Sequence, residues 1–560
     1  MMHNAKIFLI GLVFSFSLLP ATLEAELPVA GATTKPHLII FISVDQMRED
    51  YFSRFANECT GGLKRLYSEG VFYTNADLNY ATSVTCLGHA AMSTGVYPRT
   101  SGIQENEWID PVSRKPVYCV EDSAAGMVDG EGGGFSPNNL LVTAIGDWLK
   151  RASPKSKVIA VSGKDRAAIL MGGKHPDYAF WYDRKTGHMV TSDYYTKEIP
   201  PWVHAFNNSN WIERHVPDAW TLMRSQKIYA DDEPDSFSAE NNWWGKSKSF
   251  PHVFDPQRKA EEIMISPYND MLVLDFAKEA IQNEELGTRG AADLLCLSLS
   301  NTDYIGHDFG PNSREMHDNI LRLDSSLGAF FDSAEKIVGK SHVLVVLTAD
   351  HGVQPFPEYL TEHAHKTAET IEVGTKSERV VPERIIFKKQ IQPKLDSLDK
   401  ALQTQWGMHS SLFEEHGFLN YTAAAQAGVD SLQLEHAIRG GLLSIHGIAD
   451  VFFRRELVER TMPPRPFLKY FQRSYYAPRG EDYQIRYEPY TLIASRGTGT
   501  THGSTYRYDT HIPIVFWDAE MKPRHISRRI QSVDIAPTLA HLLGVPYPRS
   551  VDGLPLKEIR

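Results

Sequence analysis

The chain has 560 residues, of which 42% are hydrophobic and 23% charged, and its 69 acidic and 58 basic residues give a formal net charge of −11. This length permits a large buried core, as one big domain with insertions or as two domains. The acidic balance, without long basic runs, excludes the electrostatic footprint of a nucleic-acid-binding protein. An anionic substrate would therefore have to be held by local charges.

The N-terminus has the layout of a cleaved secretory signal. Lys6 precedes an uninterrupted apolar stretch from Ile7 to Leu19, and a region of small residues ends near Ala25. The apolar stretch is shorter than the roughly 20 residues that a membrane span requires. We therefore predict a signal peptide at residues 1–25, a periplasmic or secreted mature chain, and no stable membrane span after cleavage. An uncleaved anchor is the alternative.

Nearly continuous apolar runs mark the candidate strands. They are Leu38 to Val44, Lys157 to Val161, Leu294 to Leu299, Val343 to Leu347 and Ile512 to Trp517. Helical patterns between them, such as Leu63 to Tyr67 and Ile530 to Leu543, predict an α/β sandwich: a mostly parallel central sheet with helices on both faces. Regions at about 172–265 and 354–500 interrupt this alternation, and we predict them to be insertions that cap or flank the core.

Acidic residues and histidines occur in the segments where several of these runs end. They are Asp45, Asp303, His307, Asp350 and His351, together with His502 in Thr501-His502-Gly503. Ligands of parallel α/β sheets collect at the carboxyl ends of the strands. Three carboxylates and three imidazoles can hold two metal ions with three protein ligands each, which leaves positions open for a nucleophile and a substrate. This constellation predicts a metal-dependent hydrolase.

A hydroxyl-rich segment, Ala81 to Gly95, supplies a candidate nucleophile at Thr85. It runs from a β-favouring stretch into a predicted helix, whose N-terminus favours a phosphate group. Alone, this pattern indicates an ordinary helix cap, because Ser and Thr are common there. Beside two metal sites, it indicates a nucleophile.

The four cysteines, Cys59, Cys86, Cys119 and Cys296, allow three pairings into two bridges, and the sequence does not choose among them. They are too few for a disulfide scaffold, and we predict that they are incidental to the fold.

Taken together, the motifs resemble the alkaline phosphatase superfamily, and in particular the secreted, single-chain bacterial alkaline phosphatases of the phosphate-irrepressible type, which use a threonine nucleophile. The resemblance spans nearly the whole mature chain, taken as one catalytic domain of residues 26–560. The matching segments are Val44 to Arg48, Thr85 to His89, Asn106 to Trp108, Ser162 to Arg166, Asp303 to His307, Asp350 to Gly352, Thr501 to Ser504, Tyr508 to Pro513 and Asp534 to Thr538.

The resemblance implies two zinc ions and a phosphothreonine intermediate on Thr85. Its zinc ligands are Asp303, His307 and His502 for one ion, and Asp45, Asp350, His351 and Thr85 for the other. The phosphoryl group would be held by Asn106, Lys164 and Arg166. The phosphodiesterase relatives lack this Lys and Arg pair, so phosphate monoesters are the predicted substrates, and the resemblance favours a monomer.

There are three alternative functions to consider for this pattern. A phosphodiesterase or nucleotide pyrophosphatase could use the same zinc pair, and an exported relative could bind zinc without turnover. A sulfatase is disfavoured, because Cys86-Leu87-Gly88-His89 lacks the Cys-x-Pro-x-Arg pattern of its modified nucleophile. Histidines outside the ligand set are predicted to be structural, at His89 and His511, or solvated, at His363 and His365.

Overall fold

The computed structural model describes residues 36–363 and 381–559, with only the backbone of three short strands beyond them. The predicted signal segment, 1–25, and His365 lie outside the described residues. The strands are β1 (Glu26–Leu27), β2 (Leu38–Val44), β3 (Val71–Asp77), β4 (Glu107–Ile109), β5 (Pro116–Tyr118), β6 (Glu121–Val128), β7 (Gly133–Phe135), β8 (Val158–Ser162), β9 (Tyr178–Asp183), β10 (His188–Ser192), β11 (Ala219–Trp220), β12 (His252–Val253), β13 (Asp293–Leu299), β14 (Val343–Thr348), β15 (Ile371–Val373), β16 (Lys376–Glu378), β17 (Glu383–Ile386), β18 (Ile448–Phe453), β19 (Tyr483–Tyr487), β20 (Thr491–Ala494), β21 (His511–Trp517), β22 (Arg524–Ile526), β23 (Ile530–Gln531) and β24 (Tyr547–Pro548).

The α-helices are α1 (Tyr51–Arg54), α2 (Gly62–Glu69), α3 (Thr85–Thr94), α4 (Pro98–Ser101), α5 (Ile145–Ala152), α6 (Asp165–Gly172), α7 (Pro201–Asn207), α8 (Trp211–His215), α9 (Lys259–Glu262), α10 (Tyr268–Asn283), α11 (Asn301–Phe309), α12 (Arg314–Val338), α13 (Pro357–Glu362), α14 (Phe387–Gln390), α15 (Gln392–Trp406), α16 (Tyr421–Gln426), α17 (Ser431–Leu443), α18 (Arg454–Val458), α19 (Leu468–Ser474), α20 (Arg507–Thr510) and α21 (Ile535–Leu543). None of the described helices has the length and apolar character needed to cross a membrane.

The centre of the main sheet consists of five adjacent parallel strands, in the order β14, β2, β13, β8 and β9. Every residue of β2, β13 and β14 is buried, which requires cover on both faces of the sheet. Helices α2, α10 and α12 pack together as one set, and α3, α5, α6 and α21 as another. The predicted α/β architecture with a mostly parallel central sheet is confirmed.

Two predictions about the edges of this sheet need correction. The run from Ile512 to Trp517 does not join the parallel set, because β21 is antiparallel to both β14 and β3. The chain leaves β14 and returns at the same edge, where the N–H of Gly352 donates to the carbonyl of Asp509, so β21 enters from the opposite direction. The region 172–265 is also not wholly an insertion, since β9 and β10 extend the main sheet.

The later part of the chain builds a second, smaller core. Its buried side chains include Ile385, Leu434, Ile438 and Val451, which pack around β17, β18 and α17. Strands β17 and β18 pair with β20 and β19 rather than with the main sheet. This smaller unit therefore has its own hydrophobic core, and its strands do not join the main sheet.

A carboxylate on α12 caps the helix that packs against it. The Asp324 carboxylate accepts hydrogen bonds from the N–H groups of Thr60, Gly61 and Lys64, at 2.7, 2.6 and 3.0 Å. The first N–H groups of a helix have no partner within the helix, so this side chain satisfies the start of α2. Asp324 is 3% exposed, which makes these hydrogen bonds costly to lose.

We expect Asp324→Asn to lower the free energy of unfolding by about 1–3 kcal/mol, because one acceptor oxygen is replaced by a donor amide. Asp332→Asn, on the same helix, removes an exposed ion pair with Arg65 and should cost less than about 1 kcal/mol. Urea unfolding curves of the two variants measure the difference. Equal losses would show that Asp324 does not stabilise the start of α2.

Candidate metal centre and substrate cleft

Acidic and histidine side chains meet at one edge of the central sheet. Because β2, β13 and β14 are parallel neighbours, the segments that follow them start from the same edge. The side chains are Asp45 after β2, Asp303 and His307 on α11 after β13, Asp350 and His351 after β14, and His502 in the loop before α20. The structure thus brings together all six residues that the sequence indicated.

Asp45, Asp350 and His351 form one compact group. The Nε2 atom of His351 lies 3.5 Å from Oδ1 of Asp45 and 3.3 Å from Oδ2 of Asp350. The three side chains are fully buried, and these three atoms have no hydrogen-bond partner among the described residues. Burial and the adjacent Asp45 carboxylate raise the pKa of Asp350 well above its usual value. Buried acceptors of this kind need a cation, so this donor set fits a divalent metal ion.

A second compact group combines Asp303, His502 and His351, whose ligand atoms all lie within 4.8 Å of one another. Nε2 of His502 is 3.5 Å from Oδ1 of Asp303, and Nε2 of His307 is 3.2 Å from the same oxygen. The His351 and His502 rings stack with centroids 3.5 Å apart. His351 therefore lies between the two groups, while His307 adjoins the second group through Asp303.

Backbone carbonyls orient the three imidazoles. The Nδ1 atoms of His307, His351 and His502 lie 2.8, 3.0 and 2.6 Å from the carbonyl oxygens of Thr500, Gly352 and Ser83, respectively. An Nδ1–H that donates to a carbonyl leaves the Nε2 lone pair free to bind a metal ion. All three rings thus turn Nε2 towards the carboxylates.

Lys164 connects the two groups. Its Nζ atom lies 2.6 Å from Oδ2 of Asp45 and 2.5 Å from Oδ2 of Asp303, so it contacts one carboxylate of each group. The residue lies two positions after the end of β8 and is 3% exposed. The ammonium offsets part of the negative charge that the three buried carboxylates concentrate here.

Gln46 is a site residue to which the sequence reasoning assigned no role. Its N–H donates to Oδ1 of Asp350 at 3.0 Å, and its Nε2 donates to Oδ1 of Asp303 at 2.7 Å. The backbone adopts a left-handed conformation with φ of 65°, which is costly for a residue with a Cβ. The only sign of this role in the sequence is that Gln46 directly follows Asp45. The sequence does not show which acceptors its amide group reaches.

Thr85 is the first residue of α3 and is buried. Its carbonyl oxygen lies 2.8 Å from Nδ1 of His89, which is 3.4 Å from Oδ2 of Asp350. Val84 before it is extended, so the chain turns into the helix at the threonine. One turn later, Gly88 packs directly on the ligand segment: a Cβ there would lie 2.4 Å from the Asp350 carbonyl oxygen. Close packing of α3 on that segment therefore depends on glycine at position 88.

The two remaining phosphoryl-binding candidates lie around this helix. Oδ1 of Asn106 accepts a hydrogen bond from the N–H of Cys86 at 2.9 Å, directly after Thr85. Arg166 stands on the first turn of α6, where its Nη1 donates to the hydroxyl of Tyr118 at 3.3 Å. No described carboxylate lies within ion-pair distance of Arg166, so its charge is available to an anion.

The cysteine prediction is wrong for one pair. Cys86 and Cys119 form a disulfide bond, whereas Cys59 and Cys296 are free and buried. The bond joins α3 to the strand hairpin β4–β5, so it is not incidental. It escaped the sequence reasoning because pairing depends on distances in space that spacing along the chain does not contain.

Three further histidines lie outside the predicted ligand set, although His89 adjoins it, with Nδ1 3.4 Å from Oδ2 of Asp350. Burial lowers the pKa of His89 to about 4, and its Nδ1 lies 2.8 Å from the Thr85 carbonyl oxygen. His511 contacts the Thr74 carbonyl through Nε2, and His363 contacts the Tyr359 carbonyl through Nδ1. Each of the three thus bonds to the backbone.

A cavity of about 1110 Å³ opens beside the metal centre. His502 and Val84 line its inner end, and Arg486 and Glu481 belong to the smaller unit that forms the opposite wall. Burial and the Glu481 carboxylate raise the pKa of Glu105, which also lines the cavity, to about 8. The space is large enough for an organic group attached to a phosphate.

Comparisons with known proteins agree with this geometry. Residues 39–405 match the family model described as type I phosphodiesterase / nucleotide pyrophosphatase. A protein of Myroides odoratus named calcium-transporting ATPase is 34% identical over 94% of both chains. Alkaline phosphatase PhoV of Synechococcus elongatus is 33% identical over 94% of this chain and 93% of its own.

Alkaline phosphatase PafA of Elizabethkingia meningoseptica is similar in both sequence and structure. Its sequence is 32% identical over 94% of this chain and 95% of its own. A crystal structure of PafA superposes with a TM-score of 0.84 at 31% identity, over 94% of this chain and all of that one. The chain therefore belongs to the alkaline phosphatase superfamily, within the group of bacterial alkaline phosphatases that includes PhoV and PafA.

Proposed function

We propose that this protein hydrolyses phosphate monoesters and releases inorganic phosphate through a covalent intermediate on Thr85. The observation that supports this most is the pair of compact ligand groups around Asp45, Asp303 and His351, packed against the helix that begins at Thr85. Similarity to PhoV and PafA over nearly the full chain supports the same reaction class.

Two zinc ions are the proposed cofactors. The proposed ligands are Asp303, His307 and His502 for one ion, and Asp45, Asp350, His351 and Thr85 for the other. When bound, such ions supply Lewis acidity that lowers the pKa of a hydroxyl and stabilises the negative charge of the reacting oxygens. The mixed carboxylate and imidazole donors suit zinc, and the three Nδ1 hydrogen bonds hold the imidazoles in the ligating tautomer.

Thr85 is the proposed nucleophile. Its hydroxyl oxygen forms a bond to phosphorus while the ester P–O bond breaks, and the departing oxygen takes a proton to become the product alcohol. A water molecule then attacks the phosphothreonine, which releases phosphate and restores the threonine hydroxyl. The N-terminus of α3, where Thr85 stands, favours the negative charge of the phosphate throughout.

Preference for monoesters is assigned to Arg166, Asn106 and Lys164. A monoester dianion shares two negative charges among three non-bridging oxygens, and a guanidinium can bind two of these oxygens at once. Arg166 has no carboxylate partner among the described ion pairs, and Lys164 adds a second positive charge at the centre. A diester has one charge fewer and gains less from these donors.

A phosphodiesterase or nucleotide pyrophosphatase activity is the second candidate, because the matching family model bears that description. A metal-binding relative without turnover is the third. A panel of an aryl phosphate, an aryl methyl phosphate and ATP separates these activities. Strong preference for the diester would assign the second function, and absence of phosphate release from every ester would assign the third.

We also propose a cellular context and a domain organisation. The disulfide Cys86–Cys119 supports an oxidising compartment, consistent with a periplasmic or secreted chain. We propose that residues 26–560 form one catalytic domain that acts as a monomer. The smaller unit within 354–500 would shape the substrate cleft, since its residues line the cavity.

Thr85→Ala should reduce phosphate release from an aryl phosphate by more than about a thousandfold, because no other side chain can replace the nucleophile. Thr85→Ser keeps a hydroxyl and should retain more activity than Thr85→Ala. Metal analysis of both variants serves as the control, and bound zinc should persist. Unchanged activity of Thr85→Ala with intact metal content would exclude Thr85 as the nucleophile.

Arg166→Ala should lower kcat/KM for the aryl phosphate about a hundredfold and for the aryl methyl phosphate much less. The reason is that the guanidinium forms charged hydrogen bonds mainly with the monoester dianion. Arg166→Lys keeps the charge but not the paired donors, so its kcat/KM should lie between those of the parent enzyme and Arg166→Ala. Steady-state kinetics on both esters measure the ratio. Equal losses on both substrates would mean that Arg166 only supports the fold.

Removal of metal with a chelator should abolish hydrolysis, and two equivalents of zinc should restore it, because three buried carboxylates cannot be balanced by Lys164 alone. Metal content and activity are measured on the same samples. Full activity of metal-free protein would contradict the proposed mechanism.

A further inference from the structure

One end of the β4–β5 hairpin contacts both the helix that begins at Thr85 and the first turn of the helix that carries Arg166. Asn106 stands directly before β4, and Cys119 directly follows β5. The N–H of Cys119 donates to the Asn106 carbonyl at 2.9 Å, which closes this end of the hairpin. Tyr118 is the last residue of β5 and pairs across the hairpin with Glu107. Asn106, Tyr118 and Cys119 therefore lie close together at this end of the hairpin, held by strand pairing.

This hairpin end is tied to the nucleophile's helix twice. The disulfide joins Cys119 to Cys86, the residue after Thr85. The N–H of Cys86 also donates to the Asn106 side chain at 2.9 Å. A covalent bond and a hydrogen bond thus hold Asn106 at a set position relative to Thr85.

On its other side, the hairpin end contacts the start of α6 through one phenol. The Tyr118 hydroxyl donates to Oδ1 of Asp165 at 2.7 Å and accepts from Nη1 of Arg166 at 3.3 Å. Burial and the Asp165 carboxylate raise the pKa of Tyr118, so the phenol keeps its proton at alkaline pH. The Tyr118 hydroxyl therefore bridges the side chains of two consecutive residues, the acidic Asp165 and the basic Arg166.

The position of the Tyr118 hydroxyl affects whether the Arg166 guanidinium pairs with Asp165. Without the hydroxyl, the Asp165 carboxylate would lose a donor and would compete for the adjacent guanidinium. An Arg166–Asp165 ion pair would neutralise the charge that a phosphate needs. Packing of Tyr118 edge-on against Phe135, with ring centroids 5.9 Å apart, can place the ring but does not account for the two polar contacts.

We propose that Tyr118 is a positioning residue that holds Arg166 towards the phosphoryl group and away from Asp165, and that the Cys86–Cys119 disulfide keeps Tyr118 and Asn106 in register with Thr85. This inference rests on the proposed monoester hydrolysis. It assigns part of the monoester preference to a hairpin that contributes no metal ligand.

Tyr118→Phe removes only the hydroxyl and should lower kcat/KM for the aryl phosphate about tenfold, the size expected for one hydrogen bond to a charged group, mainly through a higher KM. Hydrolysis of the aryl methyl phosphate should change less than about twofold. Tyr194→Phe is the matched control and should leave both rates unchanged, because within the described part of the chain that phenol hydrogen-bonds only to the Lys174 carbonyl.

A double-mutant cycle tests whether Tyr118 acts through Arg166. In an Arg166→Ala background, Tyr118→Phe should cause no further loss, because its target is absent. Additive losses, or equal losses on both esters, would overturn the assignment. The proposed function fails in a different way, since the unmodified enzyme would then release no phosphate from monoesters.

The disulfide is tested with the paired substitution Cys86→Ser and Cys119→Ser. This variant should show a lower ratio of monoester to diester hydrolysis than the parent enzyme, and circular dichroism checks that it folds. Cys59→Ser, at a free buried cysteine, is the control and should keep the parent ratio. An unchanged ratio in the folded paired variant would overturn the role of the disulfide. If that variant does not fold, the Tyr118 cycle alone decides the proposal.

Discussion

The structure depends on the burial of three carboxylates at one edge of a parallel sheet. Asp45, Asp303 and Asp350 are at most 3% exposed, and Lys164 contacts only two of them. Burying charge in a medium of low polarity is costly unless opposite charge accompanies it. An arrangement that needs cations for charge balance also suits the proposed phosphate binding, because bound cations would attract an anionic substrate.

Close backbone approaches keep these charges together. Gly88 allows α3 to lie against Asp350, and Gly352 lies where a Cβ would come within 2.4 Å of the Tyr508 carbonyl oxygen. Gln46 has an unfavourable backbone conformation, and its hydrogen bonds to carboxylates of both ligand groups offset that cost. The centre is therefore held by main-chain packing as well as by its ligands, which limits how far the side chains can separate.

The proposed substrate-binding groups come from other layers of the fold. Asn106 belongs to a hairpin, Arg166 to the first turn of α6, and the cavity wall to the unit with its own core. A phosphate would meet the metal ligands on one side and these donors on the other. Under the proposed function, changes in these outer parts would alter substrate preference without disturbing the candidate ligand set.

Buried strands and the residues that follow them could be predicted from the sequence, because continuous apolar runs and the polar residues at their ends are local patterns. This was enough to name the six residues that meet at the sheet edge. The direction of β21, the Cys86–Cys119 bond, the position of His351 between both groups and the contacts of Gln46 and Tyr118 required the three-dimensional structure. An apolar run has no direction, and a side chain's partners are set by the approach of segments that lie far apart in the chain.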